Sequence, residues 1–129
     1  MSFQRATDQR HQSLREHYEK EANGTDPIVA ESARLMIRLI EQLEVTFRDR
    51  DVWGLTSLYT LKLLATDDWR TPWYVSVRPP MGGRFTIDYL LPQAEAPWPD
   101  ARVVGESESI EAAVKMILLA MERSGGWNK

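Results

Sequence analysis

The chain has 129 residues, 43% of them hydrophobic and 27% charged, with a formal net charge of −3. That length suits one domain around one core, and an ordinary globular composition excludes a disordered or fibrous class. The 16 basic residues are spread along the sequence, there is no cysteine, and no run approaches the roughly 18 apolar residues of a membrane span. A nucleic-acid or membrane partner, a disulfide framework and a thiolate or Cys-based metal centre are therefore not expected.

The opening MSFQRATDQR lacks the basic-then-apolar order of a secretory signal, so the expectation is a soluble, cytoplasmic protein. Residues 1–24 read as a peripheral helix. Ser2 to Ala22 is rich in Gln, Glu, Arg and Lys, Phe3, Thr7, Leu14 and Tyr18 make a thin apolar stripe, and Asn23-Gly24 is a stop signal. Asp26-Pro27 is a strong helix start, an Asp cap followed by a proline with no N–H to lose. It opens a central helix within 25–54, whose stripe is Val29, Ala33, Met36, Ile40, Leu43 and Phe47 and whose end is placed between Asp49 and Val52, before Gly54.

From Gly54 the hydrophobic period shortens to two, and 55–91 reads as a β-meander. Leu55, Ser57, Tyr59, Leu61 and Leu63 suggest one strand over 55–65, although Leu58, Leu61 and Leu64 also fit a helical stripe. Asp67-Asp68 and Thr71-Pro72 supply turn chemistry. Trp73, Val75 and Val77 form one half-buried strand and Phe85, Ile87 and Tyr89 another, joined by the hairpin loop Pro79-Pro80-Met81-Gly82-Gly83.

Residues 92–106, with prolines at 92, 97 and 99, read as a crossing segment pinned by Trp98, with a short edge strand at Arg102-Val103-Val104. The last helix occupies 107–124. It is capped within Ser107 to Ser109, carries a buried stripe of Ile110, Val114, Ile117, Leu118 and Met121, and closes at Ser124-Gly125-Gly126. The expected fold is α+β in one domain: two N-terminal helices, a three- or four-stranded antiparallel meander, and a C-terminal helix packed on the sheet.

Little in this sequence points to catalysis. His11 and His17 would lie about 240° apart on a helix and so could not chelate one metal. Asp67-Asp68 reads as a turn, Glu106, Glu108 and Glu111 as favourable charge at a helix start, and Asp88 stands alone as an acid within a strand. Gly82-Gly83-Arg84 precedes a strand, whereas phosphate loops precede helices. No catalytic, cofactor or metal residues are therefore assigned. The candidate partner surface is Trp69, Arg70, Trp73, Tyr74, Arg78 and Arg84, residue types enriched at interface hot spots.

The function expected from these features is a non-enzymatic protein-binding module, such as an inhibitor, adaptor or immunity-type protein of bacterial or phage origin. Two alternatives stand beside it. One is a small-ligand binder or minor enzyme with a pocket between sheet and helix, using Tyr59, Tyr74, Arg78, Asp88 and Tyr89. The other is a homo-oligomer joined through the stripe of the first helix.

Overall fold

A computed structural model describes residues 3–80 and 82–127. In chain order it contains β1 (Phe3–Arg5), a 3-10 turn (Thr7–Gln9), α1 (Leu14–Ala22), α2 (Pro27–Thr46), β2 (Val52–Ser57), β3 (Thr60–Leu64), β4 (Val75–Arg78), β5 (Phe85–Leu90), a second 3-10 turn (Gln93–Glu95), β6 (Arg102–Ser107) and α3 (Ile110–Arg123). The strands form one six-stranded sheet in the order β1 to β6. β1 runs parallel to β2 and every other neighbour is antiparallel.

This mixed sheet replaces the expected three- or four-stranded meander, and the differences have local causes. Residues 3–12 are not α-helical. α1 begins only where Ser13 caps it: the Ser13 hydroxyl accepts from the Glu16 N–H and the Glu16 carboxylate accepts from the Ser13 N–H, both at 3.0 Å. Upstream of that cap, Phe3 joins the sheet beside Val52 and packs edge-on against Phe47 at 5.8 Å. Thr7, placed on the same stripe by its spacing, is exposed. Ser2, Met1 and Met81 lie outside the described residues.

α2 starts as expected, with Asp26 accepting from the Ile28 N–H at 3.0 Å ahead of Pro27. It ends at Thr46, earlier than its apolar pattern implies, because Val52 to Gly54 is taken up between β1 and β3. Gly54 is therefore a strand residue, not a helix stop. A Cβ there would sit 2.5 Å from Leu14 Cδ1, so the close approach of α1 to the sheet requires glycine.

The single strand expected over 55–65 is a hairpin, β2 and β3, whose last pair is Ser57 with Thr60. Leu58 turns the corner at φ 57°, a left-handed conformation that leucine seldom adopts. β6 extends to Ser107, so Glu106 lies in a strand rather than at a helix start. α3 begins at Ile110, with Ser109 as its cap accepting from the Ala112 N–H at 3.1 Å.

The helices lie against one face of the sheet. Met36, Leu39, Ile40, Leu43 and Phe47 from α2 and its end, and Ala113, Ile117 and Met121 from α3, pack with Val52, Leu61, Leu63, Val75, Val77, Phe85, Ile87 and Tyr89. Leu118, expected in this stripe, is exposed instead, and Ala120 takes the buried turn. Trp98, expected to pin the crossing segment, is 66% exposed at the rim of a cleft lined by Trp73, Leu90 and Leu91. Leu14 and Tyr18 are buried in the same core, so the stripe that a homo-oligomer through the first helix would need is already covered.

Beyond the end of β1, Gln9 continues the pairing by its side chain. Its amide accepts from the Thr56 N–H at 2.8 Å and donates to the Thr56 carbonyl at 2.9 Å. Arg5, buried beside it, donates to Thr56 Oγ1 at 2.7 Å, and desolvation lowers the guanidinium pKa.

Candidate partner surface on the free face of the sheet

Strand alternation sends every second side chain away from the helices, and the ladder register arranges these into rows. Lys62 faces Ser76, which faces Asp88, which faces Val104. One row over, Arg78 faces Thr86, which faces Glu106. Among the described residues no helix covers these rows. Lys62, Ser76, Asp88 and Arg78 from them line a groove of about 600 Å³ together with Tyr74 and Arg102, with Tyr59 at one rim.

Tyr74 organises the groove. The Lys62 ammonium lies 4.6 Å and the Arg102 guanidinium 4.7 Å from its ring centre, two cations held against one aromatic ring. Arg102 also grips Asp88, whose Oδ1 lies 2.7 Å from Nε and 2.6 Å from Nη2. Asp88 is 5% exposed. A lone acid within a strand is thereby accounted for, since a buried carboxylate needs a paired cation. Of the three cations lining the groove, Arg102 has this carboxylate, while Lys62 and Arg78 face the open space.

One end of the groove is the β2–β3 turn, where Leu58 is 88% exposed. α1 holds this turn from behind. The Tyr18 hydroxyl donates to the Tyr59 carbonyl at 2.8 Å, and His17 Nε2 lies 3.1 Å from the Leu58 carbonyl. A carbonyl can only accept, so Nε2–H is the donor, and burial lowers the His17 pKa. His17 is thus a strut for the turn. His11 lies outside any helix and is exposed.

The six residues expected to form one patch divide among four places. Tyr74 and Arg78 line the groove. Trp69, 60% exposed, and Arg70, ion-paired with Asp68 at 3.1 Å, belong to the β3–β4 loop. Trp73 packs over Gly125 and Gly126, where a Cβ would meet its ring atoms at 3.0 Å and 2.7 Å. Arg84 pairs with Glu108 at 3.0 Å beyond the other end of β5. Lys62 and Arg102 belong to the site but were not among the six. Only the strand register, which puts Lys62 across from Ser76 and Arg102 across from Leu90, places them with Tyr74.

The pocket expected between sheet and helix is filled by the core, which contains Tyr89, while Tyr59, Tyr74, Arg78 and Asp88 border the groove on the opposite face. Among the described residues no group of three His, Cys, Asp or Glu side chains could hold a metal ion, and no helix is long and apolar enough to cross a membrane.

No family model matches the chain, and no curated protein or solved structure is significantly similar to it. The functional reading therefore rests on the groove itself. Its charge and its one central aromatic ring are the features with chemical consequences. Asp67, by contrast, is a tether: it accepts from the Thr7 N–H at 3.0 Å and from the Thr7 hydroxyl, and these bonds lower its pKa.

Proposed function

We propose that the chain is a non-enzymatic protein-binding module that receives an acidic segment of a partner protein on the free face of its sheet. The observation that supports this reading is the charge of the groove. Among the described residues, Lys62, Arg78 and Arg102 face a single lining carboxylate, Asp88, and that carboxylate already accepts from Arg102. In a chain of net charge −3 such a local excess of positive charge is a selective feature rather than a property of the whole surface.

Tyr74 adds a rigid aromatic surface at the centre of the patch, and Leu58 and Tyr59 add apolar contact at its rim. Acid-base catalysis needs a proton donor or acceptor free to act on a substrate. Neither histidine lines this groove, and its carboxylate is committed to Arg102.

The test is titration of the chain with a glutamate-rich peptide, followed by backbone NMR. Saturable shifts centred on residues 60–62, 74–78 and 102 are expected, weakening as salt is raised. Lys62→Glu and Arg78→Glu should each weaken binding at least about tenfold, the scale of a lost contact between close opposite charges. Equal affinity for these variants, or tighter binding of inorganic phosphate or a single-stranded oligonucleotide than of the peptide, would overturn the proposal.

A further inference from the structure

We infer that two copies of the chain join edge to edge through β6, antiparallel about a twofold axis at Val104, to make one continuous sheet. β6 is the last strand of the sheet, and among the described residues no strand pairs with its outer side. Exposed edges are ordinarily blunted by charged side chains, lysine above all, or by proline, a bulge or a short strand. Arg102–Ser107 is six residues long, contains neither proline nor lysine, and keeps one unbroken register with β5, and its two charges, Arg102 and Glu106, are of opposite sign. The opposite edge, β1, is three residues long.

The backbone direction along β6 follows from one bond. The Leu91 N–H donates to the Ala101 carbonyl at 2.9 Å, so Ala101 and, by alternation, residues 103, 105 and 107 turn their polar groups toward β5. The N–H and C=O groups of Arg102, Val104 and Glu106 therefore point outward. A twofold axis at Val104 sets Val104 against its own copy, and Arg102 and Glu106 each against the other in the second chain. All three are then hydrogen-bonded pairs, which is what the outward-pointing groups require.

The side chains match in the same register. Directly opposed residues share a face of the sheet, so Arg102 meets the second copy's Glu106 twice across the axis, opposite charges placed together by symmetry. Arg102 has five N–H donors; Asp88 accepts from Nε, while Nη2, in ion-pair contact with it, has no hydrogen-bond partner among the described residues. Val104, 61% exposed, would be covered by its copy. On the helix side, Val103 lies opposite Gly105, where Met116 sits so close that a Cβ would be 2.5 Å from its Cε. Leu119, one turn further along α3 from Met116, is exposed.

The experiment is sedimentation of the full chain over a wide concentration range, with the mass of two chains expected at the upper end. Val104→Pro removes an outward N–H without touching the β5 ladder, so it should leave the circular dichroism spectrum unchanged and give a monomer. Glu106→Arg, which opposes like charges across the axis, should do the same by a second route. The register has its own reporter because the chain has no cysteine. Val104→Cys should oxidise to a linked dimer, and Glu106→Cys, which faces Arg102 rather than its own copy, should not. A wild-type chain that stays monomeric throughout, or a dimer that survives both Val104→Pro and Glu106→Arg, would overturn the inference. So would a Glu106→Cys chain that links as readily as Val104→Cys.

Discussion

In β4, Val75 and Val77 lie under the helices with no exposed surface, whereas Ser76 and Arg78, one residue along, line the open groove. β5 repeats the division, with Ile87 and Tyr89 in the core and Thr86 and Asp88 on the other side. The same backbone thus serves two environments with opposite requirements. The covered face must be apolar and close-packed, so its residues carry stability. The free face needs only to satisfy its polar groups, so it can present charge. Substitutions should separate accordingly, stability moving with one face and binding with the other.

The largest effect belongs to the covered face. Leu63 has no exposed surface and stands in the middle of the core beside Val75. Leu63→Ala should lower the unfolding free energy by about 2–5 kcal/mol, measured by chemical denaturation, because a cavity remains where the side chain was. A loss as small as that of a surface substitution would mean that the covered face does not carry the stability.

Next is the point where α1 meets the sheet. Gly54→Ala should cost about 1–3 kcal/mol, the usual cost of forcing extra volume into a packed region, because the new methyl group meets Leu14. Shortening Leu14 in the same chain should cost less than the sum of the two single changes if this contact is the cause.

A smaller effect is expected at Tyr18, and it has a pH signature. Burial pushes the phenol's ionisation above the ordinary tyrosine range, and its hydroxyl donates to the Tyr59 carbonyl. A folded pKa raised above the unfolded one means that the contribution is whole below the ordinary tyrosine value and declines as pH rises past it, since only the unfolded chain releases the proton readily. Tyr18→Phe should cost about 1 kcal/mol at neutral pH and flatten that alkaline decline. Asp67 acts in the opposite direction. Its pKa is lowered, so its contribution is present above the ordinary aspartate range and lost as pH falls through the depressed value. Being exposed, it should add only a shallow acid limb to the denaturation profile.

The sequence was most readable where a local rule and the tertiary outcome agree. Asp26-Pro27, the alternation through Val75, Val77, Phe85, Ile87 and Tyr89, and the stripe of α3 apart from Leu118 depend on residues close together in the chain. What it concealed depends on distant pairing. β1 exists because Phe3 to Arg5 lies beside Val52 to Gly54, and Gln9 continues that pairing with a side-chain amide that no backbone pattern announces. The β2–β3 hairpin turns at Leu58-Tyr59, without the Asn or Gly that marks such turns, because α1 holds both carbonyls in place. Of the groove, Tyr74 and Arg78 were legible as residue types. Lys62 and Arg102 become part of it only once the register is known.

The smallest stability change and the clearest functional one should come from a single substitution on the free face. Arg78 is exposed and lines the groove. Arg78→Ala should therefore leave the unfolding free energy within about 0.5 kcal/mol of the parent, as surface positions generally do. The same change should weaken binding of a glutamate-rich peptide and make what remains less sensitive to salt, because one cation has left the groove. Arg102→Ala is the instructive contrast. It removes a groove cation too, but it also strands the buried Asp88 carboxylate, and should cost roughly 1.5–3 kcal/mol of stability. If Arg78 behaved like Arg102 in denaturation, the free face would be part of the structural core, and a surface reserved for a partner would have to be sought elsewhere on the chain.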